Sequence, residues 1–109
     1  MGGNIFKDCQ RINRDEYRRI SNEVSRVLEY AGRKILIPDS FKNKETHGDL
    51  DVIVEGAAMD SAKLVDLFNL QPDWISRNTS VISIYFEGKY QVDLAFHQQK
   101  TKIHREFLK

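Results

Sequence analysis

Apolar residues recur along this chain with two different periods. Tyr17, Ile20, Val24, Val27, Leu28 and Ala31 fall at helical spacing and lay one apolar stripe along a helix that starts at Asp15. Asn13 and Glu16 have the spacing of a capping box before it, and Gly32 supplies a C-terminal stop. "RKILIP" then reads as a short strand ended by Pro38, and "DSFKNKETHG" as a polar loop rich in turn formers. "DLDVIVE" is the next strand. After the turn "GAAMD", Asp60 or Ser61 caps a second helix running to about Asn69, with Leu64, Val65 and Phe68 on its apolar face. Pro72 breaks that pattern, and "WISRN" reads as a short strand. "SVISIYFEGKYQVDLAF" has the alternation of a hairpin around Glu87, Gly88 and Lys89. The order helix, strand, loop, strand, helix, strands predicts an α+β fold: a small mixed β-sheet with helices packed on one face.

The 109 residues fit one domain, 1–109, large enough for a single core. "MGGNIFKD" reads as a lead-in with little periodicity. The polar tail 97–109 has no evident stop and is expected to pack on something absent from this chain, which then reads as a fragment or a minimal version. Lys and Arg total 17 against 16 Asp and Glu, which argues against a globally basic nucleic-acid binder but leaves room for a local basic groove. Arg11, Arg14, Arg18 and Arg19 are expected to be solvated on the outer face of the first helix. Cys9 has no partner for an internal disulfide, and it lies outside any metal or redox spacing. With no secretory-type start, the expectation is a cytoplasmic, reducing setting. No apolar run approaches the ~20 residues that span a bilayer.

The chemistry concentrates where the strand "DLDVIVE" begins. Residues i and i+2 of a strand share a face, so Asp49 and Asp51 project together while Leu50, Val52 and Val54 point to the core. In "YQVDLAF", Asp93 lies on the face opposite Val92 and Leu94. If that strand lies beside the first, three carboxylates converge. Left alone they repel, and the pKa of at least one rises. A hard divalent cation relieves this: Mg²⁺ prefers oxygen ligands and shares its shell with substrate phosphates. Two ions about 3.5–4 Å apart stabilise both the attacking and the leaving oxygen of a phosphoryl transfer.

These residues resemble the nucleotidyltransferase superfamily, and most closely the palm domain of family X DNA polymerases, the DNA polymerase beta relatives. That family carries G-S-[FY]-x-R-G-K-E-T-x-G-D-[IL]-D before an apolar strand. "DSFKNKETHGDLDVIV" matches it at Ser40, Phe41, Lys44, Glu45, Thr46, Gly48, Asp49, Leu50 and Asp51. The third carboxylate of the family follows a hairpin in a strand like G-x-x-V-D-L, matched by Gly88, Val92, Asp93 and Leu94. The resemblance spans roughly Ile35 to Phe96. It implies a two-metal site of Mg²⁺ or Mn²⁺ on Asp49, Asp51 and Asp93, with Asp93 also helping to activate the attacking hydroxyl. It implies Ser40, Lys44 and Gly48 at the nucleotide. Lys42 and His47 are candidate phosphate contacts beside that loop. The implied activity moves a nucleoside monophosphate from an NTP or dNTP to an acceptor hydroxyl, such as a DNA or RNA 3′ end. Two departures stand out: Asp39 replaces the family's first glycine, and the loop is one residue short. The chain also lacks room for the companion domains of family X polymerases, so companion domains or subunits are expected.

Two other readings remain beside the enzyme. One is a catalytically weak or inactive binding or regulatory module of the same fold, which Asp39 and the short loop favour. The other is an α+β domain whose carboxylates are solvated or paired with Lys42, Lys44 or Arg77. Trp74, Tyr85, Phe86, Tyr90 and Phe96 are read first as core or cross-strand packing. His97 and His104 have no ligand spacing, so no zinc site is expected.

Overall fold

The computed structural model describes residues 6, 8–38, 45–78 and 81–97. The chain opens with β1 (Ile12–Asn13) and α1 (Arg14–Tyr30). Asn13 is the N-cap: its Oδ1 accepts from the Glu16 backbone N–H at 2.9 Å. Gly32, at φ +86°, takes the left-handed turn after the helix that other residues adopt at a cost. The predicted stripe is the buried one. Ile20, Val24 and Leu28 are wholly buried, each contributing about 1.5–3 kcal/mol by leaving water.

Next come β2 (Ile35–Leu36), β3 (Thr46–His47), β4 (Asp49–Glu55) and α2 (Ser61–Phe68). A single 3₁₀ turn, Pro72–Trp74, leads into β5 (Ile75–Arg77), β6 (Val81–Phe86) and β7 (Tyr90–His97). Asp60 occupies the N-cap position of α2 without a side-chain capping bond, and Asn69 closes the helix in the left-handed region at φ 56°. The β6–β7 turn is closed by Lys89 N–H donating to Phe86 O, with Glu87 and Gly88 both at positive φ. Those are the φ signs of a type I′ hairpin turn.

The main sheet has the order β2-β4-β7-β6-β5. Strands β4 and β7 run parallel at its centre and the other pairs are antiparallel, so the sheet is mixed. Leu50, Val52, Val54, Ile82, Ile84, Val92 and Leu94 share one core cluster with the buried residues of both helices. Both helices therefore cover the same face, as the sequence predicts. Alternation leaves Asp49, Asp51, Asp93, Gln91, Ser83 and Tyr85 on the other face.

Two expectations are revised. Between the lead-in and α1, Ile12 is wholly buried, and β1 pairs with β3 in a two-stranded ribbon. The end of the polar loop is thereby a strand. Arg19 is not a freely solvated outer-face residue. It pairs with Glu16 and Glu87, each at 2.7 Å, and with Glu23 at 3.4 Å, tying α1 to the hairpin turn. Among the described residues no helix is long and apolar enough to cross a membrane.

Candidate active site

Register decides whether the three carboxylates meet. Strand β4 pairs with β7 so that Asp51 lies opposite Asp93 and Asp49 opposite Gln91. Parallel pairing puts residues that are far apart in sequence on adjacent strands, with side chains on one face. Asp49, Asp51 and Asp93 each offer a carboxylate oxygen, and these oxygens lie within 4.8 Å of one another. Asp49 and Asp93 are half-buried and Asp51 is exposed. The apolar residues between them hold the backbone still: Leu50, Val52, Val92 and Leu94 are wholly buried on the opposite face.

Although the residue as a whole is exposed, partial burial of the Asp51 carboxyl pushes it above the usual carboxylate range, and the neighbouring negative charge and hydrogen bond of Asp93 push it further the same way. An unmet demand for positive charge is thus built into the cluster. The donor set, three carboxylates and an open side, suits a hard divalent cation such as Mg²⁺ or Mn²⁺.

Asp93 is held by two side-chain donors. Its Oδ1 accepts from Ser83 Oγ at 2.7 Å and from Gln91 Nε2 at 2.9 Å. Sequence reasoning did not single out either donor. Gln91 was visible as the i−2 neighbour of Asp93 on the same face; Ser83 needed the β6–β7 register, which sets it opposite Asp93.

Cys9 also comes to this place, although no spacing in the sequence suggested it. Its thiol accepts from the Gln91 backbone N–H, and Asp49 and Asp93 lie close enough to act on it. Burial pushes the thiol up, and the charges of the two carboxylates push it further the same way. The segment around it reaches the same face: Phe6 stacks on Tyr85 at 5.2 Å between ring centroids, and Tyr85 Oη donates to Asp8 O at 3.2 Å. Trp74 packs edge-on against Tyr85 at 5.5 Å, the packing role expected for it.

On the loop side, Gly48 directly precedes Asp49. His47 is 6% exposed and stacks on Tyr17 of α1 at 3.9 Å. It is an anchor for the loop's exit rather than a solvated loop side chain. Arg11 Nε donates to Thr46 Oγ1 at 3.0 Å and supports the same ribbon. Ser40, Lys42 and Lys44 lie outside the described residues, as do Asp39 and His104. Arg77 donates to Met59 O at 2.8 Å and to Ser61 Oγ at 3.3 Å, bracing the start of α2.

No protein-family model matches the sequence, and no curated protein does. Among solved structures, the chain is similar to CdnC of E. coli MS115-1, whose structure was determined with ATP. The TM-score is 0.60 at 20% identity. The two share a fold. The match covers 80% of this chain and 35% of CdnC, so the chain spans about a third of that protein's length. The mixed five-stranded sheet and two helices are compatible with a nucleotidyltransferase fold.

Proposed function

We propose that the chain is the metal-dependent catalytic palm of a nucleotidyltransferase, transferring a nucleoside monophosphate from an NTP or dNTP to an acceptor hydroxyl. The observation that carries this reading is the meeting of Asp49, Asp51 and Asp93 on adjacent parallel strands, with ligand oxygens within 4.8 Å. The nucleotidyltransferase CdnC, solved with ATP, supports a triphosphate as the donor. The motif from Ser40 to Asp51 supports the finer family X polymerase-like reading, with a DNA or RNA 3′ end as acceptor.

In this reading Asp49, Asp51 and Asp93 hold one or two Mg²⁺ or Mn²⁺ ions. Bound there, the metal supplies charge neutralisation of the phosphates and lowers the pKa of the attacking hydroxyl. The acceptor oxygen forms a bond to the α-phosphorus, the bond from that phosphorus to the bridging oxygen breaks, and pyrophosphate leaves. Asp93 would be a ligand of that metal and so help to activate the attacking hydroxyl. Ser40, Lys44 and Gly48 hold the triphosphate, with Lys42 as a further candidate near the phosphates. Companion domains or subunits would supply the recognition of base and acceptor.

The test is transfer of label from α-labelled nucleoside triphosphates to DNA and RNA primers with Mg²⁺ or Mn²⁺. Wild type transfers; Asp49→Asn and Asp93→Asn, shown to be folded, do not. Transfer surviving both substitutions refutes the assignment. A second reading, the non-catalytic binding module, is favoured by Asp39 in place of glycine. It requires that calorimetry detect no metal-dependent triphosphate binding.

A further inference from the structure

Asp93 is held on three sides. Asp51 faces it from β4, Ser83 faces it from β6, and Gln91 precedes it by one pleat on β7. Gln91 is wholly buried and Ser83 is 3% exposed. A buried amide and a buried hydroxyl are costly unless hydrogen-bonded. Both donate to the same atom, Asp93 Oδ1, at 2.9 and 2.7 Å. The last torsion of an Asp side chain is broad and roughly two-fold. Two donors converging on one oxygen select one of its orientations and hold the carboxylate plane. The other oxygen, Oδ2, is then left for the neighbouring carboxylate or for a cation.

The Gln91 backbone is held as well. Its N–H donates to the Cys9 thiol, and its strand neighbour Tyr85 is packed under Phe6. The segment before β1 thus helps to bury the residue that orients Asp93.

We propose that Gln91 and Ser83 are positioning residues: they pin Asp93 Oδ1 so that Oδ2 is the ligand atom presented to the divalent cation. Neither touches the cation or the nucleotide. The inference rests on the metal-site reading above, and its test separates the two. The experiment is titration of Mn²⁺ into the full chain, followed by the electron paramagnetic resonance signal of free Mn²⁺, with and without ATP. The proteins are wild type, Gln91→Met, Ser83→Ala, Ser83→Thr and Asp93→Asn. Melting curves in EDTA establish which are folded.

Loss of such an outer hydrogen bond typically weakens metal affinity about 10–100-fold. Gln91→Met, which keeps the length and loses the donor, and Ser83→Ala are expected to show that loss. Ser83→Thr, which keeps the hydroxyl, is expected to bind Mn²⁺ like wild type. If Gln91→Met and Ser83→Ala bind like wild type while Asp93→Asn does not, the positioning role is wrong and the metal site stands. If Ser83→Thr is as weak as Ser83→Ala, packing and not the hydroxyl is responsible, and the role of Ser83 is overturned. If wild type binds no Mn²⁺, both the metal site and the positioning role fall. Should Gln91→Met fail to fold, the Ser83 pair decides alone.

Discussion

Replacing Asp51 by Asn sets stability against metal binding, and the two respond in opposite directions. The carboxylate oxygens of the cluster lie within 4.8 Å of one another. At that distance two unit charges repel by about 3.5 kcal/mol at an effective dielectric of about 20, and by about 0.9 kcal/mol in water. Asp51 is exposed, so the lower end applies, and about 1 kcal/mol is the expected gain. Asn keeps an acceptor oxygen and adds an N–H that can bond Asp93 without a shared proton. In EDTA at neutral pH, Asp51→Asn therefore melts higher than wild type. For a domain of this size, 1 kcal/mol corresponds to about 4–8 °C. Mg²⁺ inverts the order. A ligand at about 100 times its Kd stabilises the protein that binds it by about 2.7 kcal/mol, and wild type receives this while the variant does not.

The pH dependence gives the same experiment a second axis. The folded pKa of Asp51 is raised, so over the window from its ordinary value upward the native state holds more protons than the unfolded state. The metal-free chain loses this contribution as pH rises through that window. Glu16 and Glu87 act with the opposite sign: hydrogen bonds from Arg19 hold both below the usual range, and their contribution is lost as pH falls. The difference between wild type and Asp51→Asn isolates the Asp51 part, which grows with pH and then levels off. Scanning calorimetry in EDTA and in Mg²⁺ across pH measures it. A lower melting temperature for the variant in EDTA, or an equal response of both proteins to Mg²⁺, refutes the reasoning.

Other substitutions probe the scaffold that aims the carboxylates. Leu50 is wholly buried between Asp49 and Asp51, and Leu50→Ala is expected to cost about 2–5 kcal/mol in urea unfolding, with Mn²⁺ affinity falling as β4 loosens. Asn13→Ala removes the N-cap bond of α1, with an expected loss of about 0.5–2 kcal/mol by the same assay. Gly88 sits at φ +65°, and a Cβ there would approach Trp74 Cη2 to 3.1 Å. Gly88→Ala is expected to cost about 1–2 kcal/mol for the left-handed backbone, with an altered Trp74 fluorescence as its signature. An unchanged melting curve for Gly88→Ala contradicts the strained turn.

What the sequence disclosed divides by the range of the interaction that encodes it. Helix α1, strand β4 and the β6–β7 hairpin are written in local period and in local punctuation: the stripe through Ile20, Val24 and Leu28, the alternation from Asp49 to Glu55, the left-handed Glu87 and Gly88. Asp49 and Asp51 were legible for the same reason, since two residues on one strand must share a face. Asp93 was legible as a candidate, but its meeting with the pair depends on β4 lying parallel to β7 across an intervening helix and two strands. Periodicity is silent on that pairing; the motif resemblance supplied it. Ser83, Cys9 and Tyr85 are a further step away. Their approach to the carboxylates follows from the antiparallel register of β6 on β7 and from the path of the segment before β1, which has no period at all. A serine in an apolar strand looks like a substitution for a small core residue. Only beside Asp93, with its hydroxyl 2.7 Å from Oδ1, does its polarity acquire a reason. The same logic makes Gln91 informative. A fully buried amide in a small domain stays because something requires its donor, and here that is the carboxylate through which the cluster would hold its metal.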